Sequence, residues 1–68
     1  MLVASEQRDQ QELAAFHLDR GRRFFQQDRD AEAIAELRRA VYLMPYQAEA
    51  HLLLGRIYQR TGRTREAV

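Results

Sequence analysis

An all-α fold of stacked helix hairpins follows from three features of the sequence. Apolar residues recur at three- and four-residue steps through most of the chain, the spacing of one buried helical face. The pattern breaks at "QQDRD" and again at Pro45, where turn-forming and helix-ending residues gather. The chain also matches itself at a shift of 34 residues, so one helix pair is completed and a second is begun.

Ser5 followed by Glu6 predicts the start of the first helix, since a serine oxygen accepts the first free amides and an acidic residue suits the positive helix end. Leu13, Phe16, His17, Gly21 and Phe24 are expected to form its buried face. Beyond "QQDRD", Asp30 is expected to cap a second helix with the apolar stripe Ala33, Ile34, Leu37, Ala40, Val41 and Met44. Glu32, Glu36, Arg38 and Arg39 are then left for solvent. Pro45 lacks an amide hydrogen and disfavours helical geometry in the residue before it, so this helix should end near Met44. A third helix is expected from about Tyr46 to Thr61, burying His51, Leu54, Gly55 and Tyr58 and ended by a left-handed Gly62. Thr64 reads as the cap of a fourth helix, of which "REAV" supplies one turn.

The shift of 34 places Ala14 on Ala48, His17 on His51, Leu18 on Leu52, Gly21 on Gly55 and Arg22 on Arg56. It continues past the helix end, with Phe24 on Tyr58, Glu32 on Glu66, Ala33 on Ala67 and Ile34 on Val68. The first copy, "HLDRGRRFF" with "AIAELRRA" and Pro45, resembles the tetratricopeptide repeat, and "HLLLGRIYQRTG" with "EAV" resembles it more closely. The resemblance covers residues 14–68. It implies a right-handed α-α superhelix with an N-terminal extension at 1–13, a first repeat at 14–47 and a truncated second repeat at 48–68. In physical terms, a glycine at 21 and at 55 permits close helix approach, the aromatic at 24 and at 58 fills the gap, and Ala33 and Ala40 receive them.

Three positions depart from the family's pattern. His17 and His51 stand at its first large aromatic, and its leucine before the glycine is Leu54 in the second copy but Arg20 in the first. Arg20 is expected to lay its aliphatic stem over the core and keep its charge in water. Asp28 replaces the turn glycine kept at Gly62, and aspartate visits left-handed geometry more readily than most residues.

Composition narrows the function classes. A unit of 68 residues buries only ~60% of the surface its unfolded chain exposes, and without cysteine it has no disulfide to compensate. About three repeats are needed for a stable stack, so a longer parent chain or a second chain packed on the open face is expected. Eleven cations against ten anions create no strong field for nucleic acid or an anionic membrane. All the cations are arginine, which fits either bidentate anion recognition or a GC-biased genome. "MLVASEQ" is too short for the apolar part of a signal peptide, and no stretch approaches the ~20 apolar residues of a membrane span; cytoplasm is the default compartment.

No site chemistry emerges. The two histidines are too far apart for a helical i, i+4 metal pair and have no cysteine or acidic cluster beside them; they read as substitutes for a partly buried aromatic. Ser5, Thr61 and Thr64 all fall at expected helix ends, where capping explains them. Gly21, Gly55 and Gly62 form no phosphate-binding loop, and Asp28 and Asp30 lie in a turn without an apolar pocket. No enzyme, metal or cofactor is expected.

A surface remains. In tetratricopeptide proteins the first helix of each pair lines a concave groove for extended or helical peptides. The resemblance assigns that role to the row Ala15, Leu18, Arg22 and Phe25 and to the row Glu49, Leu52, Arg56, Gln59 and Arg60. Leu18, Phe25 and Leu52 are expected to anchor apolar groups, while Arg22, Arg56 and Arg60, beside Gln59, select carboxylates through bidentate pairing. A solvated face is the alternative reading of the arginines. Relatives that clamp chaperone tails use lysine and asparagine in these rows; Leu18, Arg22 and Leu53 occupy those positions here, so that clamp is not reproduced. The runner-up function is self-association through the edge of the third and fourth helices, with Leu53 and Ile57 as contacts. Nucleic-acid binding through Arg56, Arg60, Arg63 and Arg65 ranks last, because the overall charge is near zero and the first twelve residues carry Glu6, Asp9 and Glu12 against Arg8.

Overall fold

The computed structural model describes the backbone of residues 4–66 and the side chains of residues 8–62. Three helices follow in order: α1 (Ala4–Gln26), α2 (Asp30–Leu43) and α3 (Ala48–Glu66). Helices α1 and α2 pack as a hairpin, and α3 lies against it, chiefly on α2. The radius of gyration is 13.8 Å, against about 11 Å for a compact domain of this length. The stack is therefore elongated, and one face of α3 meets no other described helix.

Small residues set the helix spacing. Ala14, Leu18 and Gly21 form the inner stripe of α1, facing Ala33, Leu37 and Ala40 of α2, while Ala50, Leu53 and Ile57 close the core from α3. A methyl placed on Gly21 would stand 2.7 Å from Cγ and Cδ2 of Leu37, so the two helices approach as closely as only glycine allows there. The expected inner face of α1 is thereby corrected. Leu13 and Phe16 are 47% and 54% exposed, because three- and four-residue steps run equally well through the neighbouring stripe at 14, 18 and 21, and the tight crossing selects the smaller residues. His17 and Phe24 flank that stripe half-buried.

The α1–α2 turn is a Schellman motif. Asp28 takes the left-handed conformation at φ 61°, the Arg29 N–H donates to the Phe24 carbonyl at 2.9 Å, and the Asp28 N–H donates to the Phe25 carbonyl at 3.1 Å. The aspartate thus does the work that glycine does elsewhere. The cap of α2 is Arg29, with no side-chain hydrogen bond. Asp30, expected as the cap, is instead the first helical residue, where its charge with that of Glu32 suits the positive end. At the other end Met44 closes α2 by donating its N–H to the Ala40 carbonyl at 2.8 Å, just before Pro45 as expected.

Two expectations for α3 are also corrected. His51, Gly55 and Tyr58 are exposed and Leu54 is half-buried, because no described helix packs over that side of α3, whereas on α1 Gly21 meets Leu37 and His17 meets Glu36 of α2. Gly62 does not end the helix. No glycine has positive φ, and α3 continues through Thr64 to Glu66; left-handed geometry is open to glycine without being required, and each further helical residue adds one hydrogen bond. Residues 67–68, the end of "REAV", lie outside the described residues.

The two matched glycines are expected to respond in opposite ways. Gly21→Val drives side-chain atoms into Leu37 and should destabilise the chain by about 1–3 kcal/mol. Gly55→Ala meets open space and should stabilise it by up to about 1 kcal/mol through helix propensity. Thermal melts of both variants followed by circular dichroism check the pair.

Candidate interaction surface

At 100° per residue α3 carries three stripes about 120° apart. Ala50, Leu53 and Ile57 face the core, Leu52, Arg56 and Gln59 form an exposed row, and His51, Gly55 and Tyr58 form another. The burial of Leu53 and Ile57, at 7% and 0% exposure, removes them as the contacts of a self-association edge. They dock α3 onto the α1–α2 hairpin instead.

The residues expected to bind a partner fall into two layers. Leu18, 7% exposed, belongs to the core, and Phe25 is half-buried against it. Above them sit two arginines that already hold carboxylates of this chain. The Arg22 Nε donates to Glu49 Oε2 at 2.7 Å, and its Nη2 lies 2.6 Å from the same oxygen. The Arg60 Nη1 reaches Asp28 Oδ1 at 3.3 Å and its Nη2 contacts Asp30, while the guanidinium lies 5.0 Å from the centre of the Phe25 ring. These contacts pin α3 to α1 and to the α1–α2 turn.

Leu52, Arg56 and Gln59 complete the row in the open. Leu52 is 55% exposed, and Arg56, one turn on, makes no ion pair among the described residues. An apolar contact thus lies beside an unpaired guanidinium, with Arg22 and Arg60 at the flanks. Exposed ion pairs such as Arg22–Glu49 contribute only about 0–1 kcal/mol, so an incoming carboxylate can exchange with Glu49 at little cost.

A second polar cluster lies between α1 and α2. Glu36, expected in solvent, is 7% exposed. The His17 Nδ1–H donates to its Oε1 at 2.7 Å, with Arg20 Nε at 3.5 Å and Arg39 Nη1 3.7 Å from Oε2. Burial opposes the charge of Glu36, but the His17 hydrogen bond and the charges of Arg20, His17 and Arg39 together outweigh it and hold the carboxyl below its ordinary range. The arginine at a nominal leucine position is thereby explained: Arg20 lies over Phe16 and Phe24, 5.5 and 5.6 Å from their ring centres, and turns its head to Glu36. Beside the cluster, His17, Arg38, Arg39, Tyr42 and Leu43 line an open concavity of about 330 Å³, which includes none of the residues expected to bind a partner.

The histidines differ in role. His17 is an interhelical hydrogen-bond donor, whereas the His51 Nε2–H donates to the Pro45 carbonyl at 2.6 Å and braces the α2–α3 turn. Among the described residues no group of His, Cys, Asp or Glu is arranged to hold a metal ion, and no helix is long and apolar enough to cross a membrane.

Because its folded-state ionisation is easier than in the unfolded chain, Glu36 contributes stability that is present above the ordinary carboxylate range and lost as pH falls through the lower folded value. Glu36→Gln should cost about 1–3 kcal/mol at neutral pH and flatten the acid limb of a melting-temperature profile. An unchanged acid limb in the variant would show that other carboxylates set it.

Comparison with known proteins agrees with this geometry. A family model described as TPR repeat matches residues 21–62, while no curated protein and no solved structure matches the chain. The match spans α2, the C-terminal part of α1 and most of α3, including the close packing at Gly21 and the turns at Asp28 and Pro45. Covering more than half of the 68 residues, it shows that the chain belongs to the tetratricopeptide repeat family, whose members serve generally as non-enzymatic protein-interaction modules.

Proposed function

We propose that this chain binds an acidic, partly apolar peptide or helix along the row Leu52, Arg56 and Gln59 of α3, with Arg22 and Arg60 at its flanks. Leu18 and Phe25 support the row from beneath. The observation that carries this reading is the adjacency, one turn apart, of an exposed leucine and an arginine that makes no ion pair among the described residues. Nearby arginines already select carboxylates within the chain. Residues 14–47 act as one repeat and those from 48 onward as the start of the next, so the row lies on the first helix of the second repeat.

Binding by a guanidinium fork and an apolar anchor makes a graded statement. Arg56 pairs with a ligand carboxylate bidentately, Leu52 excludes water around that pair, and exchange of Arg22 from Glu49 adds a second contact. Nucleic acid fits this row poorly: no aromatic side chain stands on it to stack with bases, and Arg60 is committed to Asp28 and Asp30.

Arg56→Glu is the direct test, since it leaves every described ion pair in place. Its stability, followed by thermal melts, should change by no more than about 0.5 kcal/mol. Its affinity for peptides selected from an acidic and apolar array should fall at least about tenfold, or 1.4 kcal/mol. Equal binding by the variant and the parent, measured by fluorescence anisotropy, would remove the row from the account.

A further inference from the structure

Two arginines stand side by side on α2, and each is followed four residues later by an apolar side chain: Arg38 by Tyr42 and Arg39 by Leu43. Residues four apart share a helix face, so this segment presents a cationic level and, about 6 Å along the axis, an apolar level. With His17 of α1, these four residues line the open concavity of about 330 Å³, a volume at the small end of the range for ligand sites. Tyr42 is 85% exposed there, so its ring has room to close on a bound group. The His17 ring, anchored to Glu36 through Nδ1, gives the site a fixed wall.

The positive charge of this concavity is not balanced among the described residues. Helix α2 carries three acids, and each has a cation or donor elsewhere: Asp30 contacts Arg60, Glu32 lies 3.6 Å from Arg29, and Glu36 accepts the His17 hydrogen bond. Arg38 makes no ion pair among the described residues. Arg39 reaches Glu36 only at 3.7 Å, longer than a hydrogen bond. An incoming anion can therefore take Arg39 while Glu36 keeps His17 at 2.7 Å. Adjacent residues diverge by about 100° around a helix, so the two guanidinium groups approach a ligand from different sides. That spread suits a tetrahedral group with several oxygens better than one planar carboxylate, and two guanidinium charges match a phosphate monoester dianion.

We propose that this concavity binds a small phosphate monoester with an aromatic or branched apolar ester group. The phosphate sits between Arg38 and Arg39, and the apolar group rests against Tyr42 and Leu43. None of these residues belongs to the row of Leu52 and Arg56, so the site stands apart from peptide binding there.

Phenyl phosphate is the probe, titrated into the isotope-labelled full chain with amide shifts followed by nuclear magnetic resonance. Shifts should saturate and centre on His17 and residues 38–43, and inorganic phosphate should bind at least about tenfold more weakly because it leaves Tyr42 and Leu43 without a contact. Arg38→Gln alters an exposed side chain that holds no described ion pair; it should keep its helicity and weaken phenyl phosphate binding at least about tenfold. Tyr42→Ala should weaken phenyl phosphate while leaving inorganic phosphate unchanged, and Arg56→Glu should alter neither. Absence of saturable binding to the parent chain overturns the proposal. So do equal affinities for phenyl phosphate and inorganic phosphate, which would mark a general cationic surface, and so does an Arg38→Gln variant that binds as the parent does. Binding lost with Arg56→Glu alone overturns it as well, since that would place the ligand on the other row.

Discussion

The contact of Leu37 with Gly21 determines the rest of this structure. Close approach at that point brings Ala33 and Ala40 against α1 and fixes the rotation of α2, which in turn presents Leu37 and its neighbours to Ala50, Leu53 and Ile57. A larger residue at 21 would push the helices apart along their whole contact, because packed interiors deform little. Everything the surface offers, including the position of Arg22 opposite Glu49 and of Arg60 above Phe25, is inherited from that spacing. Stability in such stacks is a sum of units and nearest-neighbour contacts, and among the described residues the hairpin of α1 and α2 is the unit on which α3 docks.

Polar groups adjust what the glycine contact sets. His17, Arg20 and Glu36 form one unit: each departs from a plain apolar core, and each compensates another. A buried carboxylate alone would be costly, and an arginine at a leucine position would leave the aromatic pair Phe16 and Phe24 poorly covered. Together they give an interhelical hydrogen bond and a guanidinium over two rings. The second copy carries Leu54 at the place of Arg20, and its histidine turns to the Pro45 carbonyl instead. The helices α1 and α3 thus carry matching residues and differ in the chemistry of their edges.

Much of this was legible in the residues, for physical reasons that differ by element. The turns were readable because Asp28 and Pro45 act through their own backbone limits, which no neighbour needs to supply. The internal match marked two glycines for close packing, of which Gly21 meets Leu37 and Gly55 meets open space. The inner face of α1 was not readable, because Leu13 and Phe16 outweigh Ala14 and Gly21 in hydrophobicity, yet a tight crossing favours the small residues. Glu36 escaped for a similar reason: its burial depends on His17, nineteen residues away, and charge patterning along one helix cannot reveal that. The end of α3 misled because Gly62 permits a stop that only a returning chain would impose. As for the interaction row, Leu52, Arg56 and Gln59 could be placed by helical spacing alone, whereas the pairing of Arg22 and Arg60 required the helices to be brought together.

Native-state hydrogen exchange, followed amide by amide on the chain in dilute solution, tests the primacy of the α1–α2 contact most directly, because exchange rates report the free energy of opening at each site. The slowest amides should cluster on α2 around Ala33, Leu37 and Ala40 and on the facing turns of α1, with α3 exchanging faster. Equal protection across α1, α2 and α3, or a maximum near Gly55, would contradict the account, since it would mean that α3 gains its stability from contacts other than the hairpin built on Gly21 and Leu37.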